Sequence, residues 1–154
     1  MKPTFKLEGA AELHAGLMEL QGATAVSIVR KSLQVALEPV AESARGRVPV
    51  DRGDLQQSIG IGLRLTKRQR ARRVPIVSAR GVEANVGPGI KGDKYQGAHG
   101  HLVEFGTHQQ APQPFLRPAW RSNLQAVFNS LAQSMGASIA RAAKRAARKA
   151  LKAK

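Results

Sequence analysis

The spacing of apolar residues predicts two helices in the first third of the chain. The first is short, and its apolar face consists of Leu13, Leu17 and Leu20. After Gly22 a longer stripe predicts a second helix, formed by Val26, Val29, Leu33, Ala36, Leu37, Val40 and Ala44. Pro39 lies inside this stripe and predicts a kink, because proline removes one helical hydrogen bond. Gly46 and Pro49 then predict the end of the helix.

Alternating apolar and polar residues predict several short β-strands around these helices. The candidate strands are residues 4–8, 58–66, 74–78 and 82–86. Asp51 is predicted to cap a short helical turn that reaches Leu55. Residues 87–100 are rich in glycine and predict a long loop, after which an ordered strand is expected at 102–105.

The last third of the chain predicts a long helix. Pro118 suits its first turn, and its apolar face consists of Leu124, Val127, Phe128, Leu131, Met135 and Ile139. Residues 141–154 add seven basic side chains and no acidic ones, which predicts a cationic helical extension. The order of elements predicts an α+β fold, with a mainly antiparallel sheet packed against a long kinked N-terminal helix and a C-terminal helix. We expect one domain over residues 1–140 and a basic extension over 141–154.

Composition changes this picture through charge. The 154 residues carry a formal net charge of +15, from 25 Lys and Arg against 10 Asp and Glu. Such a balance predicts attraction to nucleic acid, to an anionic membrane surface or to an acidic protein. The chain has no cysteine, which excludes a disulfide framework. No apolar run is long enough for a signal peptide or a membrane span, so no membrane partner is expected.

Chemistry-bearing residues do not form a recognisable catalytic or metal-binding pattern. Three histidines lie close together in sequence, at His99, His101 and His108. No cysteine or further ligand accompanies them at metal-site spacing, so we predict no metal and no cofactor. Asp51, Asp54 and Glu104 match no acid–base constellation, and we predict no enzymatic activity. Glu104 is expected to form an ion pair with Arg117 or Arg121.

Two basic stretches are candidates for contacts with DNA or with an acidic protein partner. They comprise Lys67, Arg68, Arg70, Arg72 and Arg73 in the first stretch, and Arg141, Lys144, Arg145, Arg148, Lys149 and Lys152 in the second. No aromatic residues alternate with these charges, which argues against a single-strand stacking surface. No base-reading helix is evident either, so any contact with DNA should be independent of sequence.

The segment 101–120 is the most distinctive part of the chain and a candidate protein interface. The interface candidates within it are Glu104, Phe105, Gly106, Thr107, Pro112, Pro114, Phe115, Arg117 and Trp120. Prolines stiffen the polar loop at 106–113, so ordering it against a partner costs little conformational entropy. The aromatic residues also suit a core where the last strand meets the last helix, and both interpretations stay open.

Three motifs in the chain resemble one protein family. They are Leu102-Val103-Glu104-Phe105-Gly106-Thr107, then Ala111-Pro112-Gln113-Pro114-Phe115-Leu116-Arg117-Pro118-Ala119, and upstream Val48-Pro49-Val50-Asp51-Arg52-Gly53-Asp54-Leu55-Gln56-Gln57-Ser58-Ile59. Together they resemble the tail-component, neck or tail-completion morphogenesis proteins of tailed bacteriophages. The resemblance spans roughly residues 13–130, with Arg52 where that family commonly has Thr.

This resemblance implies a structural virion protein at the head–tail junction. It implies a ring of identical copies around the DNA channel, between the portal or head-completion proteins and the tail terminator or tail tube protein. Packaged double-stranded DNA is a further expected partner, contacted without sequence preference. Two alternatives stay open: a tail-assembly or tube-capping factor, and a free nucleic-acid-binding basic protein.

Overall fold

The computed structural model describes residues 10–18, 20, 22–63, 82–90 and 97–152. In chain order the elements are α1 (Ala10–Met18), α2 (Gly22–Arg47), α3 (Asp54–Ser58), β1 (Gly60–Gly62), β2 (Asn85–Gly87), α4 (Gly100–Phe105) and α5 (Leu116–Lys152). The described residues are mostly helical and include one small antiparallel sheet. The α+β class predicted from the sequence is therefore confirmed.

Helix α2 supplies the central row of the core. One row of its buried positions recurs every fourth residue, at Ile28, Ser32, Ala36, Val40, Ala44 and, just beyond the helix, Val48, and Leu37 and Ala41 are buried beside this row. Such a row forms the ridge by which helices most often pack against each other. In the first half of α2 the predicted Val29 and Leu33 are half-buried beside this row, and the row itself includes Ser32. Apolarity alone could not place a serine in the core, so the sequence did not predict Ser32.

The ends of α2 follow the sequence. The helix begins at Gly22 and ends at Arg47, one residue after Gly46 and two residues before Pro49, close to the predicted end. It continues through Pro39 without ending there. The kink at Pro39 stays a prediction.

Helix α5 packs along α2 and receives α1 near its middle. All six residues of its predicted apolar face are buried or half-buried. The contact with α1 is close, because a Cβ atom added at Gly16 would lie 2.9 Å from Cγ2 of Ile139. Leu13 approaches the same region of α5, with its Cδ2 atom 3.8 Å from where a Cβ atom of Gly136 would be. The predicted first helix therefore closes the core over the second half of α5.

The two strands pair in antiparallel register, with Gly60 opposite Gly87, Ile61 opposite Val86 and Gly62 opposite Asn85. They fall within the predicted strands 58–66 and 82–86 or extend one residue past them, but each has only three residues. Predicted strands 4–8 and 74–78 lie outside the described residues, as do residues 64–66. Among the described residues the sheet is therefore smaller than the mainly antiparallel sheet that was expected.

Two local predictions were wrong. Asp51 does not cap the short helix: α3 begins at Asp54, and Gly53 is its N-cap in the left-handed conformation, without a side-chain cap. Residues 102–105 belong to helix α4 rather than to a strand. A segment of four residues, three of them apolar, does not distinguish a strand from a short helix, and the structure shows a helix.

The last helix is one continuous element of 37 residues, about 55 Å long at 1.5 Å per residue. It begins at Leu116, which places Pro118 in its first turn as predicted. It passes the proposed domain boundary at residue 140 without interruption, so the basic extension is the end of α5. Among the described helices, none combines the length and apolar character needed to cross a bilayer.

Candidate protein-docking site

The start of α5 is fixed by one buried carboxylate, that of Glu104. Its Oε2 atom accepts the backbone N–H groups of Phe115 at 2.7 Å and Leu116 at 2.9 Å, and its Oε1 atom accepts that of Arg117 at 3.1 Å. The Glu104 side chain is only 4% exposed. Glu104 thus acts as a helix cap supplied from 11 residues upstream.

This cap satisfies the whole N-terminus of the helix. A helix leaves its first four N–H groups without a partner inside the helix. Glu104 accepts three of them, and the fourth position is Pro118, which has no N–H. The regular ladder then starts with the N–H of Ala119, which donates to the Phe115 carbonyl at 3.2 Å. A negative charge at this end also interacts favourably with the helix dipole.

The ion pair predicted for Glu104 is present but secondary. Arg117 Nε lies 3.8 Å from Glu104 Oε1, beyond hydrogen-bonding distance, and the Arg117 side chain is 60% exposed. Its guanidinium carbon instead lies 4.6 Å from the centroid of the Phe105 ring. This distance is suited to a cation–π interaction.

Gly106 turns the chain out of α4 in a conformation that favours glycine. Its φ is 75° and its ψ is 177°. A Cβ atom at this position would lie 2.8 Å from both the Gln110 carbonyl oxygen and the Pro112 nitrogen. The backbone therefore passes closely over itself here, and a side chain does not fit without rearrangement.

The loop after Gly106 is exposed but held by its own hydrogen bonds. Thr107 N–H donates to the Gln110 carbonyl at 2.9 Å, and Thr107 Oγ1 accepts the N–H groups of Gln109 and Gln110 at 3.2 and 3.1 Å. Gln113 N–H donates to the Val103 carbonyl at 2.8 Å and ties the loop to α4. A loop ordered in advance loses little entropy when a partner binds it.

Three large side chains stand exposed beside this loop. Phe105 is 62% exposed and Trp120 is 43% exposed, and Arg117 lies against the Phe105 ring. We call Phe105, Arg117 and Trp120 the docking platform. Aromatic and arginine side chains dominate the binding energy of many protein interfaces.

The interface residues predicted from the sequence separate into two groups by burial. Glu104 and Phe115 are 5% and 0% exposed, so they hold the platform from below. Gly106 is half-buried and shapes the backbone. The remaining candidates are exposed: Phe105, Thr107, Pro112, Pro114, Arg117 and Trp120. The core and interface interpretations thus apply to different residues of the same segment.

The structure also brings the upstream motif against the platform segment, which sequence reasoning did not predict. A cleft of about 530 Å³ lies between them, lined by residues 49–56 on one side and by His99, Val103, Gln110 and Gln113 on the other. The upstream motif is fixed to α2, because the Arg45 guanidinium donates to the Ile59 carbonyl from Nε at 3.2 Å and from Nη2 at 3.1 Å. The two segments lie some 50 residues apart in the sequence, so no local sequence pattern could predict that they are close in space.

A second pocket of about 450 Å³ lies between α2, the sheet and α5. Its lining consists of Val40, Ala84, Asn85, Val86, Leu116, Arg117, Trp120 and Arg121. Trp120 and Arg117 belong to both the platform and this pocket. We call it the α5 pocket. None of its lining residues lines the cleft.

The remaining candidates are placed as follows. Arg141, Lys144, Arg145 and Arg148 are exposed on α5, and Lys149 and Lys152 lie in the same helix. The basic stretch Lys67 to Arg73 lies outside the described residues. His101 Nδ1 is 3.0 Å from the Ala98 carbonyl, and the described residues contain no group of three or more metal-ligating side chains.

A protein-family model matches residues 11–106, more than half of the chain. The family is described as "Bacteriophage HK97-gp10, putative tail-component". The chain belongs to this family. Comparisons with curated proteins and with solved structures find no match.

Membership in the tail-component family confirms the resemblance seen in the sequence and gives the chain a structural role in the bacteriophage tail. The matched region contains the upstream motif and ends at Gly106, within the Glu104-Phe105-Gly106-Thr107 motif. The proline-rich motif 111–119 follows the matched region. In this member of the tail-component family, Glu104 joins the two parts, because its carboxylate binds backbone groups that lie beyond residue 106.

Proposed function

We propose that this tail component forms a ring in the neck of the virion. The ring joins the portal or head-completion proteins to the tail terminator or tail tube protein and surrounds the DNA channel. The observation that carries the proposal is the docking platform: exposed aromatic and arginine side chains on a backbone that Glu104 and the loop 106–113 hold in place. An exposed surface that is ordered in this way favours docking onto another protein.

The charge distribution supports the second part of the proposal, a contact with DNA. Glu104 is the last acidic residue of the chain, and the end of α5 carries four exposed cations at residues 141, 144, 145 and 148. A helix of this kind attracts phosphates without reading bases. A ring subunit would place such helices towards the channel.

One observation argues against a free nucleic-acid-binding protein: the matching family is described as a bacteriophage tail component. A tail-assembly or tube-capping factor would use the same platform. It differs from a neck protein in where it is found, so the location of the protein decides between them.

Averaged electron microscopy of intact virions, focused on the capsid–tail junction, tests the location. We expect a ring of this subunit between the head-completion proteins and the tail tube, with the end of α5 towards the channel. Density for the chain at the tip of the tail tube, or its absence from virions, would contradict the proposal and favour an assembly factor.

A substitution tests the role of the platform. We expect Phe105→Ser to reduce the yield of joined particles about tenfold or more, because exposed aromatic anchors often contribute about 2 kcal/mol to an interface. The free energy of unfolding should stay within about 0.5 kcal/mol of the wild type. Val35→Ser is the matched control, since Val35 is 59% exposed on α2 and far from the platform in sequence. Equal yields of joined particles for both variants would show that the platform is not needed for joining.

A further inference from the structure

We infer that consecutive subunits of the ring contact each other through two specific surfaces. In this contact, residues 50–54 of one copy, here called the acidic turn, occupy the α5 pocket of the next copy. The inference rests on the proposed ring and names the surfaces that would build it.

The α5 pocket has the properties of a site for an apolar side chain next to an acidic one. Val40, Ala84, Val86 and Leu116 give it an apolar lining, and the partly exposed Trp120 borders it. Two exposed arginines, Arg117 and Arg121, also line it. At about 450 Å³ it has room for a turn of the backbone as well as one side chain.

The acidic turn has the complementary character. Val50 is 64% exposed, and the carboxylates of Asp51 and Asp54 are exposed on either side of Arg52 and Gly53. Neither aspartate forms an ion pair within the described part of the chain, whereas Glu38 is paired with Arg45 at 3.3 Å. The turn thus presents the apolar side chain of Val50 followed directly by the carboxylate of Asp51.

Charge favours this turn as the occupant. Copies with a net charge of +15 repel each other, so a contact between two copies needs a local patch of opposite charge. The acidic turn has a formal net charge of −1, and the pocket is lined by two arginines. Such complementarity fixes the orientation of the contact more than it raises its affinity.

The turn and the α5 pocket also share no residue. The turn lines the cleft together with Val103 of α4, while α4 contributes no residue to the α5 pocket. A contact between two different surfaces is heterologous, and this type of contact closes into rings when the rotation per subunit allows it.

Cross-linking in assembled particles tests the contact directly, because the chain has no cysteine of its own. We would combine Val50→Cys and Arg121→Cys in one chain and treat virions with a short thiol-to-thiol cross-linker. The expected result is a ladder of covalent oligomers that ends at the ring size. A link within one chain gives no ladder, and each single-cysteine variant can give dimers at most.

In the matched control, the first cysteine is placed at Val35 instead of at Val50 in the acidic turn. Val35→Cys combined with Arg121→Cys should give no ladder, since Val35 lies on a helix face that the inference does not place in the contact. Ring density at the junction without a ladder for the Val50 and Arg121 pair would overturn the inference and leave the proposed function standing. Absence of the protein from the junction would overturn the proposed function itself.

A charge exchange gives an independent test. Asp51→Lys and Arg121→Glu should each reduce the yield of joined particles roughly two- to fivefold, the range expected for an exposed ion pair. The double variant should recover most of that loss, because the opposite charges again face each other. Glu42→Lys with Arg30→Glu, two exposed residues on α2, should show no such recovery. A double variant no better than the worse single variant would contradict the contact.

Discussion

Glu104 and Gly106, two residues of one short motif, shape the docking platform in different ways. The carboxylate of Glu104 binds the first N–H groups of α5, and Gly106 lets the backbone turn away directly after α4. Their side chains contribute no exposed aromatic surface. Their effect is to set where Phe105 and Trp120 stand relative to each other.

Replacing Glu104 should destabilise the whole protein. Glu104→Ala leaves three N–H groups at a largely buried helix end without an acceptor, and we expect a loss of about 3 kcal/mol in the free energy of unfolding. Glu104→Gln keeps one acceptor oxygen and should lose about half as much. Urea denaturation measures both, with Glu42→Ala as the exposed control. Equal stability of the Ala variant and the wild type would refute the capping role.

Gly106 should tolerate no side chain. Gly106→Ala places a Cβ atom against two backbone atoms at 2.8 Å and in a backbone region that only glycine commonly adopts. We expect a loss of about 2 kcal/mol or more. Gly46→Ala is the control, because nothing lies within 4 Å of its Cβ position in α2 and alanine favours helices. Thermal denaturation should therefore move the two melting temperatures in opposite directions, and a shift in the same direction would count against the close approach at Gly106.

At the scale of the elements, the packing of α2 on α5 depends on a row of small and medium side chains. The row places Ser32 at 2% exposure, and its hydroxyl has no hydrogen-bond partner among the described residues. A small residue at this position lets the two helices approach closely.

Removal of this hydroxyl should stabilise the protein. We expect Ser32→Ala to raise the free energy of unfolding by about 1 kcal/mol, since it deletes an unsatisfied buried group and improves helix propensity. Ser43→Ala serves as the control, because Ser43 Oγ accepts a hydrogen bond from Arg47 at 3.3 Å. Chemical denaturation that shows Ser32→Ala to be less stable than the wild type would mean that the hydroxyl has a partner in solution.

The elements differ in how well the sequence predicted them. The long helices were predictable, because an apolar stripe over many turns leaves few alternatives, and α2 ends where Gly46 and Pro49 indicate. The short segments were not predictable. The sequence predicted a strand where α4 lies, and it predicted Asp51 instead of Gly53 as the cap of α3. Their conformations depend on contacts with distant residues, such as the bond from Ile90 N–H to the Ser58 carbonyl at 3.1 Å. A local pattern cannot contain that information.

The sequence singles out the segment around Phe105 as a candidate interface, and that role stays a prediction. Only the structure separates Glu104 and Phe115, which are buried, from Phe105 and Trp120, which are exposed. The α5 pocket and the cleft could not be predicted, because residues from α2, β2 and α5 meet only in the fold.

At the scale of the whole molecule, the cations of α5 should govern binding to DNA. We expect replacement of Arg141, Lys144, Arg145 and Arg148 by Gln to lower the slope of log K against log salt by roughly 3 to 4 if all four contact phosphates. The free energy of unfolding should change by less than about 0.5 kcal/mol, since these side chains are exposed. Binding to duplex DNA titrated at several salt concentrations measures the slope.

Deletion of residues 141–154 is the complementary variant. It should leave the rest of the protein folded and reduce DNA retention or head–tail joining. Normal joining by the truncated protein would show that the cationic end of α5 is dispensable, whatever its affinity for DNA in solution.

The continuity of α5 has a consequence for how far apart its two ends can act. Trp120 and Arg148 are separated by 28 residues of one unbroken helix, which corresponds to about 42 Å. The length of the helix therefore fixes a distance. Once Trp120 is held against a neighbouring protein, the number of residues between Trp120 and Arg148 sets how far away the positive charges lie. Neither end can change its reach without a change in the length of the chain itself.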